Sequence, residues 1–124
     1  RQLLPPSYAI STRVSRGELA DCIDRASLMA REGKNNLLRF SIRQDKLSIT
    51  SNSEMGDVYE EMEVQTTGND IDIAFNVRYI TDAVKSIDEE QFLIKLNSNI
   101  SPCVLVPTEG EDFLYLVLPV RTAG

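Results

Sequence analysis

Side chains able to do chemistry are plentiful in this sequence but poorly grouped. Carboxylates cluster at Glu60-Glu61-Glu63, Asp70-x-Asp72, Glu89-Glu90 and Glu109-x-Glu111-Asp112, and such pairs can ligate a divalent cation or exchange protons in acid–base catalysis. Most of them fall at the ends of apolar segments or on the polar side of an alternating pattern, where solvated surface charge is the ordinary role. Cys22 and Cys103 each stand among apolar neighbours and read as buried, reduced thiols. The chain has no histidine, which excludes an imidazole-activated nucleophile, a histidine metal site and a histidine pH switch. Gly17, Gly33, Gly56, Gly68 and Gly110 stand singly beside turns and form no phosphate-cradling run. No catalytic constellation assembles from these residues and no cofactor is implied. A scaffold or binding module is expected.

The elements that must carry any binding surface follow from length and periodicity. A chain of 124 residues fits one domain, and a domain of this size buries roughly two thirds of its unfolded surface. Its hydrophobic fraction is 42% and its charged fraction 26%, and no apolar run approaches the ~18 residues needed to span a bilayer. Net charge is -6, which argues against tight clamping of nucleic-acid phosphates while leaving room for a local basic face. The chain opens at Arg1 with no charged-then-apolar leader, so the expectation is an excised piece of a longer protein that is not secreted.

Ser15 followed by Glu18 has the spacing of a capping box and predicts a helix over "SRGELADCIDRASLMAR". Leu19, Cys22, Ile23, Ala26, Met29 and Ala30 share its apolar face, and Leu28 falls alone among the charges opposite. Leu38, Phe40 and Ile42, then Leu47 and Ile49, alternate around Gln44-Asp45 and predict a hairpin. Val58, Glu60, Met62 and Val64 form the inner side of a third strand whose outer face is Tyr59, Glu61 and Glu63. Then "DIDIAF" reads as a strand and Asn76 as the cap of a second helix with Val77, Ile80, Val84 and Ile87 inward. "QFLIKL", "PCVLVP" and "FLYLVLPV" follow as strands. With a first strand near "SYAISTRV", the order is strand, helix, three strands, and the same again. Eight strands and two helices imply an α+β layered domain.

One run breaks the pattern. Phe113 to Leu118 is continuously apolar, whereas a half-buried strand alternates. Either the core covers both faces, or one face is an apolar surface kept for a partner.

Three stretches in order, "IDRASLMAREGKNN", "AFNVRY" and "LVLPVR", resemble the third, C-terminal domain of the bacterial β sliding clamp, the processivity factor of replicative DNA polymerase. The resemblance runs from Arg1 to Arg121, and "IDRASL" and "LPVRT" are more similar to the Gram-positive branch than to the enteric one. It implies a DNA-clamp fold, α+β, with two helices packed on two antiparallel sheets in repeated strand-helix-three-strand units. Residues 1–124 would be one such domain from a three-domain chain. Two chains would close head to tail into a homodimeric ring around duplex DNA, helices lining the hole, in the cytoplasm at the nucleoid. The hold on DNA would be topological and sequence-nonspecific, with Arg25, Arg78 and Lys85 facing the duplex. Leu28 and Met29 match positions at the ring interface, and the isolated fragment is expected to be mostly monomeric.

The resemblance also resolves the tail. Phe113, Tyr115 and Val117 would point into the core, while Leu116, Leu118 and Val120 would line the family's groove for clamp-binding peptides of polymerases, clamp loader and repair proteins. By position the groove also matches Leu3, Tyr79, Ile100, Pro102, Pro119 and Arg121, with the remainder supplied by the preceding domain. Pro102 in place of a serine, and leucines and a valine in place of a valine and methionines, depart from the enteric pattern and would change peptide preference in detail. Two other readings stay open beside it: a non-replicative interaction module using the same apolar strand, and an enzyme whose acidic clusters bind a divalent metal.

Overall fold

The computed structural model describes residues 7–32, 36–53 and 56–121. Strand β1 (Ile10–Ser15) leads into helix α1 (Arg16–Glu32), followed by β2 (Leu37–Ile42), β3 (Lys46–Ser53), β4 (Gly56–Glu63) and a short β5 (Gln65–Thr67). Then come β6 (Ile71–Asn76), α2 (Val77–Lys85), β7 (Gln91–Leu96), β8 (Cys103–Pro107) and β9 (Tyr115–Val117). One sheet has the order β5-β1-β7-β8-β9 and the other β4-β3-β2-β6, and every pairing in both is antiparallel.

The two halves exchange their first strands. β1 pairs with β7, from the second half, and β6 pairs with β2, from the first. Neither half can therefore close its sheet without the other. The helices pack on each other, α1 also against β2, β3 and β4 and α2 against β6 and β9, and one core joins both sheets through side chains such as Leu19, Ile23, Phe40, Phe75, Ile80, Phe92 and Leu105. Phe40 and Phe75, on the paired strands β2 and β6, meet edge to face at 5.2 Å.

The α+β architecture of two helices and two antiparallel sheets is as expected, but nine strands are formed among the described residues where eight were anticipated. The addition is β5. After β4 the chain crosses to the other sheet, anchored by Val64 N–H to the Asp45 carbonyl at 3.1 Å and Thr66 N–H to the Gln44 carbonyl at 2.8 Å. Gly68 follows at φ 109°, and a Cβ there would collide with the Ala9 carbonyl oxygen, so the turn needs a glycine. Polar "QTT" carries no hydrophobic alternation, which is why periodicity misses it.

The tail strand is shorter than the sequence suggests. Pairing with β8 ends at Val117, and the chain then reaches across to β6, where Val120 forms an isolated bridge to Ala74. Pro119 has no amide hydrogen to offer a ladder, so it suits this crossing. The second helix also stops earlier than expected, at Lys85, though Ile87 still lies in the core.

Candidate functional site

The tail alternates sharply. Val117 is 3% exposed, whereas Leu116 is 49% and Leu118 62% exposed, and Leu114 lies open on the same side. Phe113 and Tyr115 are half-buried against the core, their rings 5.7 Å apart. Leu114, Leu116 and Leu118 thus stand exposed along one side of one segment, a contiguous apolar surface rather than a scattered residue.

Helix α2 supplies the facing wall. Asn76 accepts from the N–H groups of Arg78 at 2.9 Å and Tyr79 at 3.3 Å, fixing the first turn. This sets Val77, Ile80, Ala83 and Val84 inward and leaves Tyr79 63% exposed. At the other end Tyr115 donates its hydroxyl hydrogen to the Ser86 carbonyl at 3.3 Å. Between helix and tail lies a crevice of about 600 Å³, walled by Asn76, Tyr79, Asp82, Ala83 and Ser86 on one side and residues 115–120 on the other.

Of the residues expected in the groove, Tyr79, Leu116, Leu118, Pro119 and Val120 converge on this crevice. Ile100 and Arg121 line an adjoining cavity of about 520 Å³ that shares Val120. Half-buried Pro102 lines neither, and Leu3 lies outside the described residues. Tyr115, assigned inward by parity, also walls the crevice, because its ring lies at the end of the edge strand next to α2. Asp82 and Ser86 were not anticipated. Their spacing from Tyr79, three and seven places on, puts them on one helical stripe and could have revealed them.

The basic residues of the helices are partly engaged. Arg25 pairs with Glu60 at 3.0 Å and Lys85 with Asp24 on the neighbouring helix at 3.4 Å, while Arg78 is exposed and makes no ion pair among the described residues. The hydrogen bond to Glu60 raises the Arg25 guanidinium above its ordinary pKa. Leu28 is exposed on α1, and the Met29 side chain lies outside the described residues.

The acidic groups are dispersed. Glu61 contacts Lys46 at 3.6 Å and accepts from the Tyr59 hydroxyl at 2.9 Å, and Asp70 and Asp72 hold Arg43 at 3.7 and 3.0 Å. Both thiols are free and buried, and burial pushes Cys103 up to about 12 and raises Cys22. A thiol with so raised a pKa is a poor nucleophile.

Residues 1–121 match the family model for the DNA polymerase III beta subunit, C-terminal domain. A beta sliding clamp of Staphylococcus aureus is 37% identical over 123 residues, which cover 98% of this chain and 33% of the relative. The structure superposes with a TM-score of 0.92 on the DNA polymerase III beta subunit of Thermotoga maritima and likewise on the DNA polymerase sliding clamp of Bacillus subtilis, each 33% identical and matched over 98% of this chain and 33% of theirs. The chain thus spans about a third of the length of the curated relatives it matches.

Proposed function

Because the chain belongs to the family of C-terminal domains of the DNA polymerase III beta subunit, we propose that it is the third domain of a bacterial sliding clamp and that its α2–tail crevice receives clamp-binding peptides. In the full-length protein three such domains per chain, two chains to a ring, would encircle duplex DNA and tether the replicative polymerase, with clamp loader and repair proteins using the same groove. It works by binding and holding, not by catalysis.

The observation that carries the reading is the crevice between Tyr79 and Leu118, an open apolar surface on a domain of net charge -6. An apolar trough walled by a rigid helix and an edge strand suits an extended peptide that inserts apolar anchors. DNA is held differently. With Arg25 and Lys85 already paired to carboxylates, the inner helices offer little to clamp phosphates, which agrees with retention by enclosure and free sliding.

Titrating a fluorescent peptide of glutamine-leucine, an acidic or small residue, then leucine-phenylalanine tests the groove. Saturable binding that competes with unlabelled peptide is expected. A flat anisotropy curve up to millimolar protein would reject this reading. Among the described residues no helix is long and apolar enough to cross a membrane, and the proposed setting of the domain, with the rest of the clamp, is the cytoplasmic nucleoid.

A further inference from the structure

The crevice has two chemically different ends. Helix and tail run in opposite directions along it: Val120 donates its N–H to Ala74, beside the helix cap Asn76, and Tyr115 reaches Ser86, at the helix's far end. From Asn76 to Ser86 a helix rises about 15 Å, and an extended tail covers about 16 Å from Tyr115 to Val120. The two walls match, and the trough accommodates roughly four or five extended residues.

At the Asn76–Val120 end stand Arg78, on the first turn of α2, and Arg39 and Arg121, which line the adjoining cavity. All three are exposed and none makes an ion pair among the described residues. Asp72, the acid in that cavity, is already committed to Arg43 at 3.0 Å. The positive end of the helix dipole adds to the same sign.

Toward the Ser86–Tyr115 end the sign reverses. Asp82 walls the crevice in the last turn of α2, is exposed, and has no ion-pair partner among the described residues. A carboxylate in the last turn opposes the helix dipole, so Asp82 is not there to stabilise the helix. Asp88 follows Ser86 by two places and Asp112 precedes Tyr115 by three, both exposed. Lys85, the nearby cation, is held by Asp24 of α1.

We propose that this crevice is electrically polar and selects extended peptides that carry a basic residue beside the anchors at the Asp82 end and an acidic residue at the Arg121 end. The inference rests on the groove reading above and adds to it a direction: apolar anchors supply affinity, and the rim charges fix which way round the peptide lies. Rim charges act in this manner because their weak, solvent-screened attraction separates alternatives that bury equal apolar surface.

The test uses two peptides of identical composition with the same apolar centre, one flanked lysine-first and aspartate-last, the other reversed. Each is titrated at low ionic strength against the 124-residue chain and against the double variant Asp82→Lys, Arg121→Glu. The two peptides should differ about threefold or more in Kd on the parent chain. The preference should shrink markedly on the double variant, where Arg39 and Arg78 still stand opposite Asp88 and Asp112, and fade at high salt. Equal binding of both peptides to the parent, or an unchanged preference on the variant, overturns the polarity while leaving the groove standing. If neither peptide binds the parent, the groove reading falls and takes this one with it. Should the double variant melt early, the neutral pair Asp82→Asn and Arg121→Gln replaces it, and the parent's preference must then shrink toward one or the proposal fails.

Discussion

Val120 donates its amide hydrogen to the Ala74 carbonyl at 2.8 Å, joining the end of the tail to the edge strand β6 of the opposite sheet. This bond holds the tail at the Asn76 end of the crevice, while pairing of β9 with β8 and the Tyr115 hydroxyl bond to Ser86 hold it at the other end. Pro119, just before Val120, limits the backbone to a narrow φ range, so the tail arrives at Ala74 partly pre-organised.

The two faces of the tail should separate by mutation. Leu118→Ala removes an exposed wall of the crevice and is expected to weaken peptide binding several-fold while moving the melting temperature little. Val117→Ala, a change to a side chain 3% exposed, should cost about 2 kcal/mol of stability. Two peptide anchors contribute roughly 1.5–3 kcal/mol each, short of the ~8 kcal/mol of micromolar affinity. Because the proposed preceding domain would add the remaining groove wall, the parent chain should itself bind more weakly than a full-length clamp. Anisotropy titrations beside melting curves check all three, and a folded Val117→Ala that loses binding while Leu118→Ala keeps it would reverse the assignment of faces.

Asn76→Ala should cost about 1 kcal/mol, because it orphans the N–H groups of Arg78 and Tyr79 at the start of α2. Fraying that turn loosens Tyr79, so peptide affinity should fall together with stability. Asn76→Asp keeps an acceptor at the cap and is expected to retain both. Chemical denaturation and the same peptide titration read the two effects.

DNA affinity of the chain should be no tighter than about millimolar at physiological salt, since its charge is -6 and a single 124-residue domain cannot by itself enclose a duplex. Glu60→Gln frees Arg25 from its 3.0 Å ion pair and should strengthen duplex binding modestly at low salt, with the gain vanishing as salt is raised. A micromolar, salt-resistant complex of the parent with linear duplex would contradict retention by enclosure.

Sedimentation should find the chain mostly monomeric, perturbed little by Leu28→Asp, because Leu28 is 59% exposed and carries no core packing. A tight dimer that persists on dilution and is lost in Leu28→Asp would show instead that this helix face pairs with a second copy.

Cys103 should resist thiol reagents in the native state. Burial raises its folded pKa from 9.0 to about 12, so its contribution to stability is fully present below the unfolded value and is lost as pH rises from about 9 toward 12. Labelling at pH 8 should need denaturant, and denaturant midpoints should fall through the alkaline window. Rapid native labelling of Cys103 would show that β8 opens locally.

Much of this was legible in the sequence alone. Ser15 and Asn76 marked both helix starts, since a side-chain acceptor beside orphan N–H groups is a local matter, and the inward residues of α2 and of β2 and β3 followed from periods of 3.6 and 2. Which side of the tail is exposed came from the family resemblance, because the run Phe113–Leu118 is apolar at both parities. What the sequence did not contain was partnership between distant segments. That β1 joins β7 while β6 joins β2, that unpatterned Gln65–Thr67 becomes a strand on β1, and that the tail leaves β8 for Ala74 all depend on hydrogen bonds whose donors are chemically alike along the whole backbone. Arg25, Arg78 and Lys85 looked equivalent on a helical wheel, yet Glu60 and Asp24 engage two of them and leave Arg78 with no ion pair among the described residues. Asp82, an ordinary charge on an amphipathic helix, became part of a crevice wall only because the tail was laid beside it. Local chemistry fixes which residues can cap, turn or hide, and only tertiary packing decides which of them meet.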